Sequence, residues 1–245
     1  MKKILIITDA WEPQVNGVVT TMTTVVKKLK EKNFKVEVIH PGMFHTFPLP
    51  NYPEISVAWN FWDLKKKIEK FDADYMHISV EGPLGVTGRH YCLENNIPYT
   101  TCIHTKFPEY VYERFGIGLD VTKGLLKWFH NPAAKTLVNT ISHKEELEQD
   151  GFTDLVLWSR GFDEKIFYPC PDGGKKKYLL YVGRVAVEKN IEEFLKMPSH
   201  LPKVVVGGGP SLKSYAKKYP DVDFVGFKKG KELADYYRDA ACFVF

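Results

Sequence analysis

The stretch Ile4-Leu5-Ile6-Ile7-Thr8-Asp9-Ala10-Trp11-Glu12-Pro13-Gln14-Val15-Asn16-Gly17-Val18-Val19 decides the fold. The unbroken apolar run at its start suits a strand buried on both faces. A loop follows from Asp9 to Gly17. Val18, Met22, Val25, Val26 and Leu29 then recur at helical spacing, with Lys27, Lys28 and Lys30 on the wet side. Asn33 ends that helix, and Val36 to Ile39 reads as the next strand. Strand, loop, helix and strand in this order form the unit of a parallel sheet covered by helices on both faces.

The same alternation continues along the chain. Phe61, Leu64, Lys65, Ile68 and Phe71 suggest a short basic helix, Tyr75 to Ser79 a strand, and Pro83 to Asn95 a helix. Tyr99 to Ile103 is a strand, followed by an aromatic-rich helical region from Phe107 to Phe129. Thr136 to Ile141 is a strand, and Ser142 with Glu145 has the pattern of a capping box. Gly151 stops that helix before a strand at Leu155 to Trp158. The composition changes at Tyr168 to Lys177, which reads as a linker. Strands at Tyr178 to Val182, Val204 to Val206 and Phe224-Val225 then alternate with helices at Asn190 to Lys196, Ser211 to Tyr219 and Glu232 to Ala240. Cys242 to Phe245 opens another strand. The expected fold is α/β, with a complete Rossmann-like domain over 1–168 and an incomplete one over 169–245.

Composition narrows the function. The 245 residues are 44% hydrophobic and 26% charged, which excludes disordered, collagen-like and coiled-coil chains. The net charge of +4 tolerates an anionic ligand or membrane surface but is too mild for a nucleic-acid binder. No apolar run is long enough to span a bilayer, and the opening run is too short for a signal peptide. Cys92, Cys102, Cys170 and Cys242 form no C-x-x-C pair and read as reduced thiols of a cytoplasmic protein. The G-x-G-x-x-G, Walker and G-x-S-x-G patterns are absent, which disfavours dehydrogenases, P-loop nucleotidases and the common hydrolases.

In open parallel sheets ligands bind beyond the carboxyl ends of strands. Gly17, just before a helix, either serves the turn or lets backbone N–H groups meet a phosphate. Glu81 either accepts a substrate hydroxyl or merely favours a helix start. His104 either meets a reacting sugar or is a satisfied structural residue, and His40, His77 and His143 also lie near strand ends. Arg184 and Lys189 flank a strand-to-helix loop, as a diphosphate would require or as ordinary surface cations do. Gly207-Gly208-Gly209-Pro210 implies a backbone that approaches something closely, against the alternative of a loose loop. Asp72-Ala73-Asp74 has the spacing of a metal motif but precedes its strand, so a helix-to-strand turn is the better reading.

The segments Thr8 to Val19, Glu81 to Gly85, His104 to Tyr110, Trp158 to Gly161, Val182 to Asn190 and Gly208 to Pro210 occur in an order that resembles glycosyltransferase family 4. The similarity runs through the whole chain. It is nearest the branch of GDP-mannose-dependent α-mannosyltransferases and diacylglycerol glycosyltransferases. The resemblance implies a retaining enzyme with the two-domain GT-B fold. It places Gly17, Arg184 and Lys189 at the donor diphosphate and His104 at the transferred sugar near its anomeric carbon. It places Gly208, Gly209 and Gly226 near the nucleoside, and Asp9 and Glu81 on the acceptor side. It implies a nucleotide-diphosphate sugar as co-substrate, a lipid or glycan acceptor, and no metal, since Arg and Lys carry the charge stabilisation.

Family members continue past a strand like Cys242 to Phe245 into an E-x(7)-E motif that holds sugar and ribose. The expectation is therefore an impaired transferase that ends inside its donor domain. The alternative is a non-catalytic remnant or binding subunit completed by a second chain. A sugar-nucleotide epimerase, which shares the two-domain plan, is the third class, and the motif order favours the transferase. Phe61, Trp62, Leu64, Ile68 and Phe71 with Lys65, Lys66, Lys67 and Lys70 suggest peripheral contact with the inner face of a membrane. Packing of those apolar residues against the sheet explains them equally well.

Overall fold

The apolar run at Ile4 to Ile7 forms β1 (Lys3–Ile7), whose last three residues are buried. The computed structural model describes every residue except 15, 50, 51, 105–117 and 171–174. After β1 comes α1 (Gly17–Glu31), started by Asn16, whose side-chain oxygen accepts from the Val19 amide at 3.0 Å. It lays Met22 and Val26 on Ile6. Then follow β2 (Lys35–Ile39), an antiparallel pair β3 (Thr46–Leu49) and β4 (Tyr52–Ala58), and α2 (Leu64–Phe71). β5 (Tyr75–Ile78), α3 (Pro83–Glu94), β6 (Tyr99–Ile103), α4 (Leu119–His130), β7 (Lys135–Val138), α5 (Ile141–Gln149) and β8 (Leu155–Leu157) complete a first unit, Met1–Gly161.

The main sheet of that unit has the order β2-β1-β5-β6-β7-β8, parallel throughout. The chain leaves β1 toward β2 and returns to the other side of β1 at β5. Strand order reverses there, and loops leaving the two carboxyl ends diverge and open a crevice. Asp9 and Glu81 follow these two strands.

The second unit, Phe162–Phe245, contains β9 (Tyr178–Val182), α6 (Ile191–Lys196), β10 (Lys203–Val206), α7 (Leu212–Lys218), β11 (Val222–Gly226), α8 (Gly230–Asp239) and β12 (Ala240–Phe243). Its sheet order is β11-β10-β9-β12, again parallel. Order reverses at β9, the strand that ends before Gly183-Arg184. Val205 and Tyr181 pack with Ile191, Phe194 and Tyr215 on one face, and Leu180, Val204 and Val206 pack on the other.

Several expectations change. The cap of α5 is Thr140, which accepts from the His143 amide at 3.2 Å, not Ser142. β7 stops at Val138, and the apolar Ile141 is an exposed first helical residue rather than a strand end. The β3–β4 ribbon was not expected at all. The helical region expected from Phe107 begins, within the described residues, at Leu119; its earlier part lies outside them, as do residues 105–110 of the quoted His104 segment. The last strand is Ala240–Phe243 rather than Cys242 to Phe245. Asp72 ends α2 in the left-handed region, and Asp74 accepts from the Lys3 amide at 2.6 Å, so this pair serves the turn. In α2, Leu64, Ile68 and Phe71 are buried in the core, so its apolar face is not open to a bilayer. Phe61 and Trp62 just before it are exposed. Among the described residues no helix is long and apolar enough to cross a membrane.

Candidate active site

The carboxyl ends of β1, β5 and β6 converge in the first unit. Asp9 turns back from β1 to the start of α3, where its two oxygens accept from the Leu84 and Gly85 amides, each at 3.0 Å. A carboxylate suits a helix start, where backbone donors are unpaired and the dipole is positive. Burial nevertheless pushes the Asp9 carboxyl up to about 6, against the two amides that favour its charge; the Glu81 charge adds to the rise. A Cβ on Gly82 would lie 2.3 Å from the Asp9 Cγ, so the tie between β1 and α3 closes only over a glycine.

Glu81 enters a different network. Its Oε1 lies 3.0 Å from Nε2 of the buried His130, whose Nδ1 lies 2.9 Å from the Thr101 hydroxyl. Thr101 in turn contacts the Thr136 hydroxyl at 2.9 Å. This run links the crevice to β6 and β7. His130 and Thr136 carried no expectation from sequence, because their partners are distant in the chain.

His104 follows β6 and is only 8% exposed. Its Nε2 lies 3.2 Å from the Ser79 hydroxyl. Arg160 donates from Nη2 to the His104 carbonyl at 2.9 Å, and the same nitrogen lies 3.4 Å from Nδ1. Arginine has no acceptor, so Nδ1 faces it as the bare nitrogen and the ring proton sits on Nε2, toward Ser79. Burial, then the Arg160 charge, hold the His104 imidazole down to about 4. The ring is neutral at pH 7 and is a poor proton donor there. Arg160 Nη1 also lies 3.4 Å from the position of a Cβ on Gly17. The segment Trp158 to Gly161 carried family likeness but no role in the sequence reading; the structure shows Arg160 spanning His104 and Gly17.

A cavity of about 550 Å³ opens beside Asp9 and Glu81. Its far walls are Leu49 and Val57 of the β3–β4 ribbon and Leu125 and Trp128 of α4.

In the second unit, Arg184 follows β9 and is half-buried, and its carbonyl accepts from the Tyr181 hydroxyl at 3.2 Å. Lys189 is exposed at the end of a short 3-10 turn, Val187–Lys189, that precedes α6. The glycine turn after β10 presses against this loop. The Val185 amide donates to the Gly208 carbonyl at 2.9 Å, and the Ser211 amide to the Val185 carbonyl at 3.1 Å. Gly207 has φ +136, and a Cβ there would lie 2.0 Å from the Gly183 carbonyl oxygen. At Gly208 and Gly209 an added Cβ would meet the Phe227 ring at 2.6 Å and the Val185 carbonyl oxygen at 2.3 Å. The close approach expected of these glycines is thus an approach to the neighbouring loop. Gly226 ends β11, and its carbonyl accepts from the Gly207 amide at 2.8 Å. Among the described residues no three His, Cys, Asp or Glu side chains gather as a metal site would need.

Two parallel sheets, each reversing strand order beside a strand whose end carries polar or glycine-rich turns, define a two-unit Rossmann-like protein. The chain belongs to glycosyltransferase family 4, whose family model matches residues 15–165. It is 25% identical over 273 residues to the GDP-mannose-dependent alpha-mannosyltransferase of Corynebacterium glutamicum, covering 99% of this chain and 66% of that protein. It is 23% identical over 298 residues to the alpha-monoglucosyldiacylglycerol synthase of Streptococcus pneumoniae, covering 99% of this chain and 65% of that one. The chain therefore spans about two thirds of the length of these two curated relatives. Among solved structures, Anabaena HepE in complex with UDP superposes with a TM-score of 0.64 at 13% identity, over 99% of this chain and 73% of that chain. That likeness shows the fold, which is α/β and GT-B-like.

Proposed function

We propose that this chain transfers a hexose from a nucleotide-diphosphate sugar, GDP-mannose or a UDP-sugar, to a lipid or glycan hydroxyl with retention of configuration. The observation that carries the reading is the coincidence of two independent features. The family's segments follow strands of both sheets, and those after β1, β5 and β9 stand where strand order reverses and a crevice opens. The activities for which the two relatives are named supply the donor and acceptor classes.

The bond from the sugar's anomeric carbon to the phosphate oxygen breaks as the acceptor oxygen bonds to the same face of that carbon. The acceptor proton passes to the departing phosphate oxygen. Arg184 and Lys189 neutralise the diphosphate as its charge grows, the role a metal plays elsewhere. Gly17 lets the start of α1 approach a phosphate. Gly208, Gly209 and Gly226 adjoin the nucleoside. His104, neutral and fixed by Ser79 and Arg160, borders the sugar without exchanging a proton. Asp9 and Glu81 line the acceptor side.

Incubation with labelled GDP-mannose or UDP-glucose and a lipid acceptor, with product mass and anomeric configuration measured, tests the reading. An inverted product overturns the mechanism. Arg184→Ala and Lys189→Ala should each lower kcat by about 100-fold or more; an unchanged kcat removes their role.

A further inference from the structure

We propose that His130 is a positioning residue, which holds one oxygen of Glu81 and thereby presents the other to a substrate hydroxyl in the crevice. The proposal rests on the transfer reading above and adds a residue to it. Three observations carry it.

Glu81 is not engaged by the helix beside it. Asp9 takes the Leu84 and Gly85 amides at the start of α3, each at 3.0 Å. A second carboxylate there would duplicate that tie. Glu81 instead places Oε1 3.0 Å from His130 Nε2. Among the described residues its other oxygen has no hydrogen-bond partner, and Glu81 lines the cavity. An ionised carboxylate only accepts, so that oxygen suits a hydroxyl. Of the two readings that the sequence leaves for Glu81, these contacts favour the acceptor of a hydroxyl over the helix starter.

His130 is fixed on every side. It is the last residue of α4 and only 1% exposed. Its Nδ1 lies 2.9 Å from the Thr101 hydroxyl, and Thr101 meets the Thr136 hydroxyl at 2.9 Å. The Phe129 ring stands edge-on to the imidazole at 4.9 Å, and the Phe152 ring lies 6.4 Å away. Both ring nitrogens are engaged and the phenyl rings hold the plane. A carboxylate bonded to this imidazole shares its rigidity, whereas a free Glu side chain turns about three bonds. With a hydrogen on Nε2, His130 donates to Oε1 whichever way the Thr101 hydroxyl turns.

Packing alone does not explain the run. A buried imidazole needs a partner for each nitrogen, and an apolar side chain of the same shape would need none. Thr101, Thr136 and His130 are all buried and none of them lines the cavity. They lead to the one member that does. A group held in place by the folded protein binds its counterpart without further ordering, and this favours a ligand that arrives from outside.

The test follows the His130 Nε2 resonance by nuclear magnetic resonance in the full chain, with isotope-labelled histidine at neutral pH. Nε2 should carry a hydrogen, and a bare Nε2 overturns the proposal. GDP-mannose, UDP-glucose, their sugar-free diphosphates, methyl mannoside and glycerol are then titrated separately. A nucleotide sugar that moves the resonance where its diphosphate does not assigns the hydroxyl to the transferred sugar; movement by methyl mannoside or glycerol assigns it to the acceptor. Either movement should vanish in Glu81→Gln. Affinity for the active probe should fall about tenfold or more in His130→Phe, which keeps the ring shape without a donor. It should return to within about threefold of the starting value in His130→Gln, whose amide supplies the donor again. His130→Phe added to Glu81→Gln should weaken binding no further. Should His130→Phe melt early, Thr101→Val removes only the Nδ1 partner and should weaken the same binding about threefold; an unchanged affinity there overturns the proposal. Equal losses in His130→Phe and His130→Gln also overturn it, because the ring then serves packing. A nucleotide sugar that binds while no probe moves the resonance sinks the positioning role alone. Movement by methyl mannoside or glycerol with neither nucleotide sugar bound sinks the transfer reading and leaves the positioning role.

Discussion

The first unit holds its crevice with charged and polar side chains, while the second holds its strand-end loops with backbone pressed on backbone. At β1, β5 and β6 the contacts come from Asp9, Glu81, His104, His130 and Arg160. At β9 and β10 they come mainly from the amides and carbonyls of Gly183, Val185, Gly207 and Gly208, with little room for any Cβ, joined by the Tyr181 hydroxyl on the Arg184 carbonyl. The difference teaches which perturbation each set of strand-end loops feels. Side-chain ties respond to pH, because their groups titrate. Glycine contacts respond to a single added carbon and scarcely to protons.

The sharpest way to break this contrast is Gly207→Ala. Its Cβ would fall 2.0 Å from a carbonyl oxygen at a φ of +136, so the turn must open. A loss of about 3 kcal/mol or more is expected. Hydrogen exchange should report it within 162–245 and leave 1–161 unchanged. A loss below about 1 kcal/mol would mean the glycine turn yields easily.

The pH arm comes next. Burial holds His77 down to about 4 from 6.5, and His104 likewise. Each depressed imidazole contributes stability that is complete above pH 6.5 and lost as pH falls through about 4, up to about 3 kcal/mol per group. Asp9 acts oppositely. Its carboxyl is raised from 3.8 to about 6, so its contribution is complete below 3.8 and lost as pH rises through 6. His77→Gln should flatten the acid limb of a stability–pH curve. Asp9→Asn should steepen it between pH 4 and 6, by removing the opposing proton. Identical limbs in the two variants would refute the titrating account of the first unit.

Smaller effects sharpen the same comparison. Thr140→Ala removes the α5 cap and should cost about 1 kcal/mol in thermal unfolding. Arg160→Gln removes the cation beside His104, so the His104 ring should titrate above its present value of about 4, read by nuclear magnetic resonance. An unmoved titration would leave burial as the whole cause.

Sequence legibility follows the range of the interactions. Buried parallel strands announce themselves as apolar runs, and every strand of the two main sheets was visible to within a few residues. The β3–β4 ribbon was hidden because Pro48 and Pro53 interrupt it, and only Ile55 and Val57 show alternation along β4. The α5 cap was misassigned because Ile141 looks like a strand residue yet stands exposed at the helix start. The strand-end residues were legible as positions but not as contacts. Asp9 meets amides 75 and 76 residues away, and Arg160 reaches back 56 residues to His104. No local pattern encodes pairs separated by that distance. The glycines after β10 were read as demanding close approach, and what they approach became visible only with the neighbouring loop in place.

The Glu81–His130–Thr101–Thr136 run has a direction. Thr136 lies 3.4 Å from the His130 carbonyl. If its hydroxyl donates there, Thr101 donates to Thr136, His130 Nδ1–H donates to Thr101, and the contact between Nε2 and Glu81 needs one more hydrogen. If instead Nε2–H donates to Glu81, Nδ1 accepts from Thr101 and both hydroxyls turn about. The first arrangement keeps the Thr136 bond to the His130 carbonyl, and the second gives it up. One end of the run lies on the crevice wall and the other inside the sheet between β6 and β7. The crevice wall at Glu81 is thereby tied to the interior of the sheet through side-chain hydrogen bonds alone.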